Sequence, residues 1–409
     1  MIMKHTLSLV LSLILLFNVS IEPISAKQKK ATTNTWTGTW ATAAQPVDRP
    51  NMPPQPGLSN NTFRQIIRVS IGGEKVRLQL SNLFSKNPTT IKSIAIANAL
   101  EGSAIDKKSS KTLTFNGKKS VTLAPNSETK SDPLSFKLKP GSRLAITVCY
   151  GEVSADITGH PASRTTSYLV AGNKSVTPDF SNAVKADRWY TINRMDVLSD
   201  ETAGAIVVLG NSIADGRGSG INKQNRWPDV LSERLLQNPS TTKRGVLNVS
   251  IGGSSALSGS KGLSGMDRLE RDVFTQSNVK WLIVTIGVND LGGTRSAERA
   301  DAVADRLIDF YQQVIEKAHA KGIKVYGVPI LPFGKSFYDA AYRQPAWEKI
   351  NQWIRTSGKF DAVIDFEPKM RNPEIPNSLL PNLHDNDFLH PNQAGYRIMG
   401  ETPDVKLFE

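Results

Sequence analysis

The apolar residues of this chain follow two different rhythms, and the change between them limits the folds open to it. Between Thr35 and about Gly172 apolar and polar residues tend to alternate. In Val76-Arg77-Leu78-Gln79-Leu80 the apolar positions are 76, 78 and 80, the period of a strand with one buried face. Further strand-like stretches cover 62–71, 91–99, 112–115, 120–123, 134–138 and 143–150, separated by turn residues such as Asn116-Gly117. Gly72-Gly73, between two of these stretches, predicts a tight hairpin. Many short strands at this spacing predict an antiparallel sandwich.

From about Thr202 the apolar runs become continuous, at 205–209, 246–249, 281–286, 325–330 and 362–364. Such runs suit strands buried on both faces of a parallel sheet. Helical patterns lie between them, over 229–237 and 296–321, where Val303, Leu307, Phe310 and Val314 recur at three- and four-residue steps. Strands alternating with helices make an α/β layer domain. A chain of 409 residues is also long for one core. The expected organisation is a β-sandwich over 35–172, a connection over 173–200 and an α/β domain over 201–409.

Residues 1–26 stand apart. Lys4 and His5 precede an apolar run from Leu7 to Val19, and Ser25-Ala26 supplies small residues for cleavage. This is the layout of a signal peptide, and the run is too short to span a bilayer. Cys149 is the only cysteine, so no intramolecular disulfide can form, and its apolar surroundings suggest a small buried hydrophobe. An exported chain without disulfides fits a bacterial secreted or periplasmic protein. The net charge of +13 is scattered, and no zinc-finger, helix-turn-helix or RNA-binding pattern accompanies it. Such charge favours weak attraction to anionic polymers or envelope surfaces over nucleic-acid reading, and solvated surface is its plainest account.

Reactive groups in α/β sheets collect at the carboxyl ends of strands. Gly210-Asn211-Ser212 follows one buried run, where a serine is either a helix N-cap or a nucleophile. Gly216-Arg217-Gly218-Ser219-Gly220 fits neither nucleotide-loop spacing and is expected to be a flexible turn. Position 214 is Ala, which excludes the Gly-x-Ser-x-Gly elbow. The turns Asn248–Gly253 and Gly287-Val288-Asn289-Asp290 follow two other runs; alone, turn chemistry explains both. The chain has five histidines, and His390 lies three residues after Asp387, close enough for the carboxylate to orient the ring. A capped turn before a helix at Ala394 explains the same spacing.

Taken together and in order, Gly210-Asn211-Ser212, Asn248…Gly253, Gly287-Val288-Asn289-Asp290 and Asp387-Phe388-Leu389-His390 resemble the four signature blocks of SGNH (GDSL-like) hydrolases. Trp36–Ala41, Arg64–Gly73 and Leu80-Ser81-Asn82 are similar to the N-terminal portion of two-domain bacterial secreted members. The resemblance implies a flavodoxin-like three-layer α/β fold preceded by a jelly-roll-like β-sandwich. It also implies a serine esterase without metal or organic cofactor. Ser212 would be the nucleophile, His390 the general base and acid, and Asp387 its orienting carboxylate. The oxyanion hole would be the Ser212 and Gly253 backbone N–H groups and the Asn289 side chain. One position departs from the family, which has Asp where this chain has Asn211. The expected substrate is a carboxylic ester, foremost a short acyl group such as acetyl on a polysaccharide. A lipid or aryl ester comes second, and a glycan-binding protein on an inactive hydrolase scaffold third.

Overall fold

In a computed structural model, residues 34–259 and 263–409 are described; the expected signal segment lies outside them. Beside a small sheet of three strands, Trp189–Tyr190, Thr158–His160 and Gln45–Pro46, the N-terminal half forms two large antiparallel sheets. One has five strands, with Asn34–Ala41, Ile192–Asp200, Gly73–Ser81 and Glu128–Lys130 in that order and Leu134–Leu138 also on Gly73–Ser81. The other has seven, with Thr62–Arg68, Arg143–Tyr150 and Thr89–Asn98 at its centre. Alternation along these strands decides which side chains meet between the sheets. Ile67 and Ile146 join Val76, Leu78 and Val197 in one core, whereas Ile66 and Ala145 face outward onto Phe180. Cys149 is buried in the same sheet.

Two expectations about this half need correcting. Gly72-Gly73 makes no hairpin, because the strands on either side of it belong to different sheets. The chain leaves its sheet after Arg68; Ser70 N–H donates to Thr39 O (2.9 Å) and Ile71 N–H to Thr39 Oγ1 (3.0 Å). These long-range bonds turn the backbone from one sheet to the other. Nor is 173–200 merely a connection, since it contains the strands Val184–Ala186, Trp189–Tyr190 and Ile192–Asp200. The last pairs with Asn34–Ala41 and with Gly73–Ser81, and so completes the sandwich.

The C-terminal half is a parallel five-stranded sheet in the order Arg244–Asn248, Gly204–Gly210, Val279–Thr285, Lys324–Gly327, Ala362–Val363. Ala205 through Leu209 are all fully buried, as a strand covered by helices on both sides demands. The helix Ala297–His319 buries Leu307, Phe310, Tyr311 and Val314, with Ser296 capping it through a bond from Arg299 N–H. The α/β core and the sandwich core are separate clusters, yet Asn34–Glu409 holds together as one compact unit. Polar contacts join the halves: Gly38 N–H donates to Ser277 O (3.0 Å) and Arg194 Nη1 to Thr275 O (2.6 Å). No helix among the described residues is long and apolar enough to cross a membrane.

Candidate active site

Three adjacent strands deliver three of the singled-out turns to one edge of the sheet. Gly204–Gly210 lies between Arg244–Asn248 and Val279–Thr285, and Gly210 is level with Thr285. Ser212, Gly253 and Asn289 therefore follow the carboxyl ends of neighbouring strands. After Gly210 the chain turns straight into the short helix Ser212–Asp215. Its N-cap is Asn211, whose Oδ1 accepts from Ile213 N–H (3.0 Å). Capping is thus done by the residue before Ser212, and the serine hydroxyl points elsewhere.

That hydroxyl donates to His390 Nε2 at 2.8 Å, and His390 Nδ1–H donates to Asp387 Oδ2 at 2.6 Å. Asp387 also folds its own loop: Oδ1 accepts the backbone N–H of Leu389 (3.0 Å) and His390 (2.8 Å). One oxygen of this carboxylate thus holds the loop's backbone and the other meets the imidazole. The following helix, Gln393–Glu401, is capped by Asn392 instead. His390 is 3% exposed. Burial lowers its pKa from the ordinary value, more than the Asp387 carboxylate raises it, and Arg217 lowers it further. Burial pushes Asp387 the other way, but the hydrogen bonds from His390 and Leu389 outweigh it and hold the carboxyl below its usual value. The glycine-rich turn at 216–220, expected to be flexible, is packed. A Cβ on Gly218 would lie 2.3 Å from Pro391 O, and Arg217 O accepts from Tyr396 Oη (2.6 Å). It wedges the serine turn against the histidine loop.

On the other side of Ser212, Gly253 has φ +76 and nothing within 4 Å of where a Cβ would stand. Glycine is required there by backbone conformation, not by crowding. Asn289 Nδ2–H donates to Ser254 O (2.8 Å), and its Oδ1 accepts from Tyr338 Oη (3.1 Å), so the amide plane is fixed at both ends. Gly287, at φ +139, brings the chain past the Tyr311 hydroxyl, 2.9 Å from where a Cβ would sit. Asp290 turns inward and accepts from Ala256 N–H and Leu257 N–H (2.9 Å each); burial pushes its carboxyl up to about 6 against the pull of both bonds. Beneath the site, fully buried Arg268 donates to Val249 O (2.5 Å) and Gly210 O (3.1 Å) and pairs with Asp272 (3.1 Å).

A second histidine–aspartate pair ends on the same short helix, where no local motif marks it. His160, from the sandwich, donates from Nε2 to Asp215 Oδ1 (2.9 Å), while Asp215 Oδ2 accepts from Gly252 N–H (2.8 Å). His160 Nδ1 lies 3.1 Å from Ala43 O and 3.3 Å from Gln45 Nε2. A hydrogen-bond chain thus runs from the sandwich, through the serine's own helix, to the residue before Gly253. The scarcity of histidine was the one available clue, because His160 is the only one between Asn34 and the parallel sheet. Tyr338 and Arg268 gave no comparable signal.

Residues 208–398 match the family described as GDSL-like Lipase/Acylhydrolase. They form a GDSL-like hydrolase domain. This GDSL-like domain is a carboxylic ester hydrolase by class. No curated protein matches the chain. Among solved structures, an acetyl xylan esterase, AlAXEase, is 21% identical over 48% of this chain and 96% of its own, with a TM-score of 0.38. A GDSL-like lipase from Bacteroides thetaiotaomicron VPI-5482 is 21% identical over 50% of this chain and 86% of its own, with a TM-score of 0.37. The lipase/acylhydrolase from Enterococcus faecalis is 18% identical over 50% and 95%, also at 0.37.

Proposed function

We propose that the protein is a secreted serine esterase using Ser212, His390 and Asp387, and that it removes short acyl groups from a glycan. The observation that carries this is the unbroken chain Ser212 Oγ–His390 Nε2 (2.8 Å), His390 Nδ1–Asp387 Oδ2 (2.6 Å). As Oγ bonds to the ester carbon, its proton passes to Nε2 and the carbonyl electrons move onto oxygen. Asp387 keeps the ring's Nδ1 protonated and offsets the imidazolium charge. The oxyanion is met by the backbone N–H of Ser212 and Gly253 and the Asn289 amide. It then collapses, and the leaving alkoxide takes the proton from Nε2. Water repeats the sequence on the acyl-serine: His390 takes its proton, its oxygen adds to the carbon, and Oγ departs with that proton to release the acid.

Asn211 is compatible with activity, because its side-chain oxygen caps the helix as a carboxylate oxygen could and takes no part in the Ser212–His390–Asp387 chain. The choice of a short acyl group on a sugar rests on what surrounds the site. Of the five large hydrophobic side chains exposed among the described residues, Phe337 stands beside it, 65% exposed, with its ring 4.4 Å from that of Tyr338. A long-chain lipase needs a broad apolar rim. One aromatic ring next to polar groups suits the face of a sugar. Export rests on the N-terminal segment alone.

A fluorophosphonate probe is expected to label the parent at Ser212, and Ser212→Ala should lose both labelling and ester hydrolysis with the fold intact. Labelling elsewhere, with activity surviving in the variant, would overturn the triad. Comparing acetylated xylan with chromogenic esters of increasing chain length tests the substrate: preference for long chains would favour the lipase alternative.

A further inference from the structure

The oxyanion side of the site opens into a cleft of about 480 Å³ whose wall includes Asn289 and one stripe of the helix Ala297–His319. Arg295, Arg299 and Arg306 line it together and are all exposed. Positions 299, 302, 303 and 306 fall on one face of that helix, since steps of three and four return to the same side, and Arg295 stands just before its N-cap Ser296. Two acids of this helix fall on another face, while Asp309 lies one turn on from Arg306 and lines a neighbouring pocket with it. Asp301 and Asp305 turn toward Lys349, each 2.7 Å from its Nζ. Among the described residues none of the three arginines makes an ion pair with an acidic side chain. Asp290, the one acid in the cleft wall, spends its carboxylate on the Ala256 and Leu257 N–H groups inside the fold.

An esterase acting on a neutral substrate has no use for three guanidinium groups without an ion-pair partner beside its oxyanion side, even with Arg306 feeling the buried Asp290 carboxylate. Their mutual repulsion is a cost that an anion crossing the stripe would remove. Arg299 and Arg306, seven residues apart on the helix, lie about 10 Å apart along its axis, and Arg295 precedes its first turn, a spread too wide for one small anion. Oxyanions repeated along a polymer match that spread, and the planar fork of arginine suits carboxylate and phosphate alike. We propose that this cleft binds the anionic part of the substrate, a glycan or related polymer with carboxylates or phosphates at repeated positions, whose ester group reaches Ser212. This deepens the esterase reading and rests on it.

The test is binding, so that it does not depend on turnover. Calorimetry with the full-length Ser212→Ala protein would use three probes of equal length: an oligogalacturonate, an oligo(glycerol phosphate) and a neutral xylo-oligosaccharide. At least one anionic oligomer should bind at least about tenfold more tightly than the neutral one, and more weakly as salt rises; which one binds names the source of the anion. Arg295→Gln with Arg299→Gln should remove most of that preference, and adding Arg306→Gln the rest. On the otherwise native enzyme, the double variant should leave hydrolysis of 4-nitrophenyl acetate unchanged. Lys137→Gln with Lys139→Gln, exposed on the sandwich, should leave binding unchanged too. Equal affinity for all three probes, full preference in the arginine variants, or equal loss in the lysine control would overturn the proposal. A native protein that binds the anionic oligomer through the arginines yet neither hydrolyses 4-nitrophenyl acetate nor reacts with fluorophosphonate would instead overturn the esterase reading and leave the cleft standing.

Discussion

His390–Asp387 and His160–Asp215 pair the same two side chains, each with a buried histidine and each meeting the four-residue helix Ser212–Asp215, but Asp387 takes Nδ1 and Asp215 takes Nε2. They differ in what the far nitrogen faces. In the first pair it faces the Ser212 hydroxyl, whose proton can be taken. In the second it faces Ala43 O and the Gln45 amide, which have no proton that imidazole can remove. The second aspartate also differs, because its other oxygen holds Gly252 N–H and so the loop leading to Gly253. A histidine–carboxylate pair is thus a base only where a transferable proton stands opposite it; elsewhere it is a brace. Here the sandwich supplies the brace.

Removing each histidine separates these roles. His390→Ala should lower kcat by about ten-thousandfold or more, as loss of a triad base does. The comparison breaks if His160→Ala, shown folded by circular dichroism, is equally inactive. Asn289→Ala sets the scale for the oxyanion side, with kcat down about a hundredfold, roughly 3 kcal/mol, and KM little changed. His160→Ala should cost less, about tenfold in kcat, since it acts through the Gly252 loop and cannot exceed what that side contributes. Its effect should also shrink when combined with Asn289→Ala in a double-mutant cycle, because both act on one group of donors. Full additivity would mean that His160 only stabilises the fold. It will destabilise as well: Asp215 left buried without its partner should cost about 3 kcal/mol, read as a lower Tm.

The smallest effect concerns pH. The base works when neutral, and burial lowers the His390 pKa, so the acid limb of kcat/KM should fall below the ordinary histidine value of about 6.5. Asn211→Asp adds a negative charge near the ring, favours imidazolium and raises the pKa by up to about one unit. The acid limb should then move to higher pH while kcat at alkaline pH stays the same. Coincident profiles would show that residue 211 only caps the helix.

Much of the α/β half was legible because its evidence is local. A strand buried on both faces must be apolar throughout, and Ala205–Leu209 announces this without help from any other segment. The four site turns could be located for the same reason, each directly following such a strand or a conspicuous Asp-x-x-His. The sheet switch after Arg68 was not legible, because it depends on bonds to Thr39. Two glycines in a row signal a bend and do not say into which sheet. The brace was hidden for a similar reason: His160 and Asp215 lie in different halves, and neither carries a local pattern that names the other. Residues 173–200 looked like a connection because their strands are short or interrupted, although the last of them closes the sandwich.

That closing strand also has a consequence in time. Asn34 pairs with Asp200 at the edge between the sandwich and the parallel sheet, so the first strand of the described chain waits for one of the last in its half. A ribosome or export channel delivering residues in order releases the early strands long before their partner appears. Until then Trp36 to Ala41 is an unpaired edge with apolar side chains, the kind of segment that aggregates or engages a chaperone. Closing so long a loop is slow. The maturing enzyme should therefore acquire its sandwich, its brace and its competent active site together and late, rather than domain by domain.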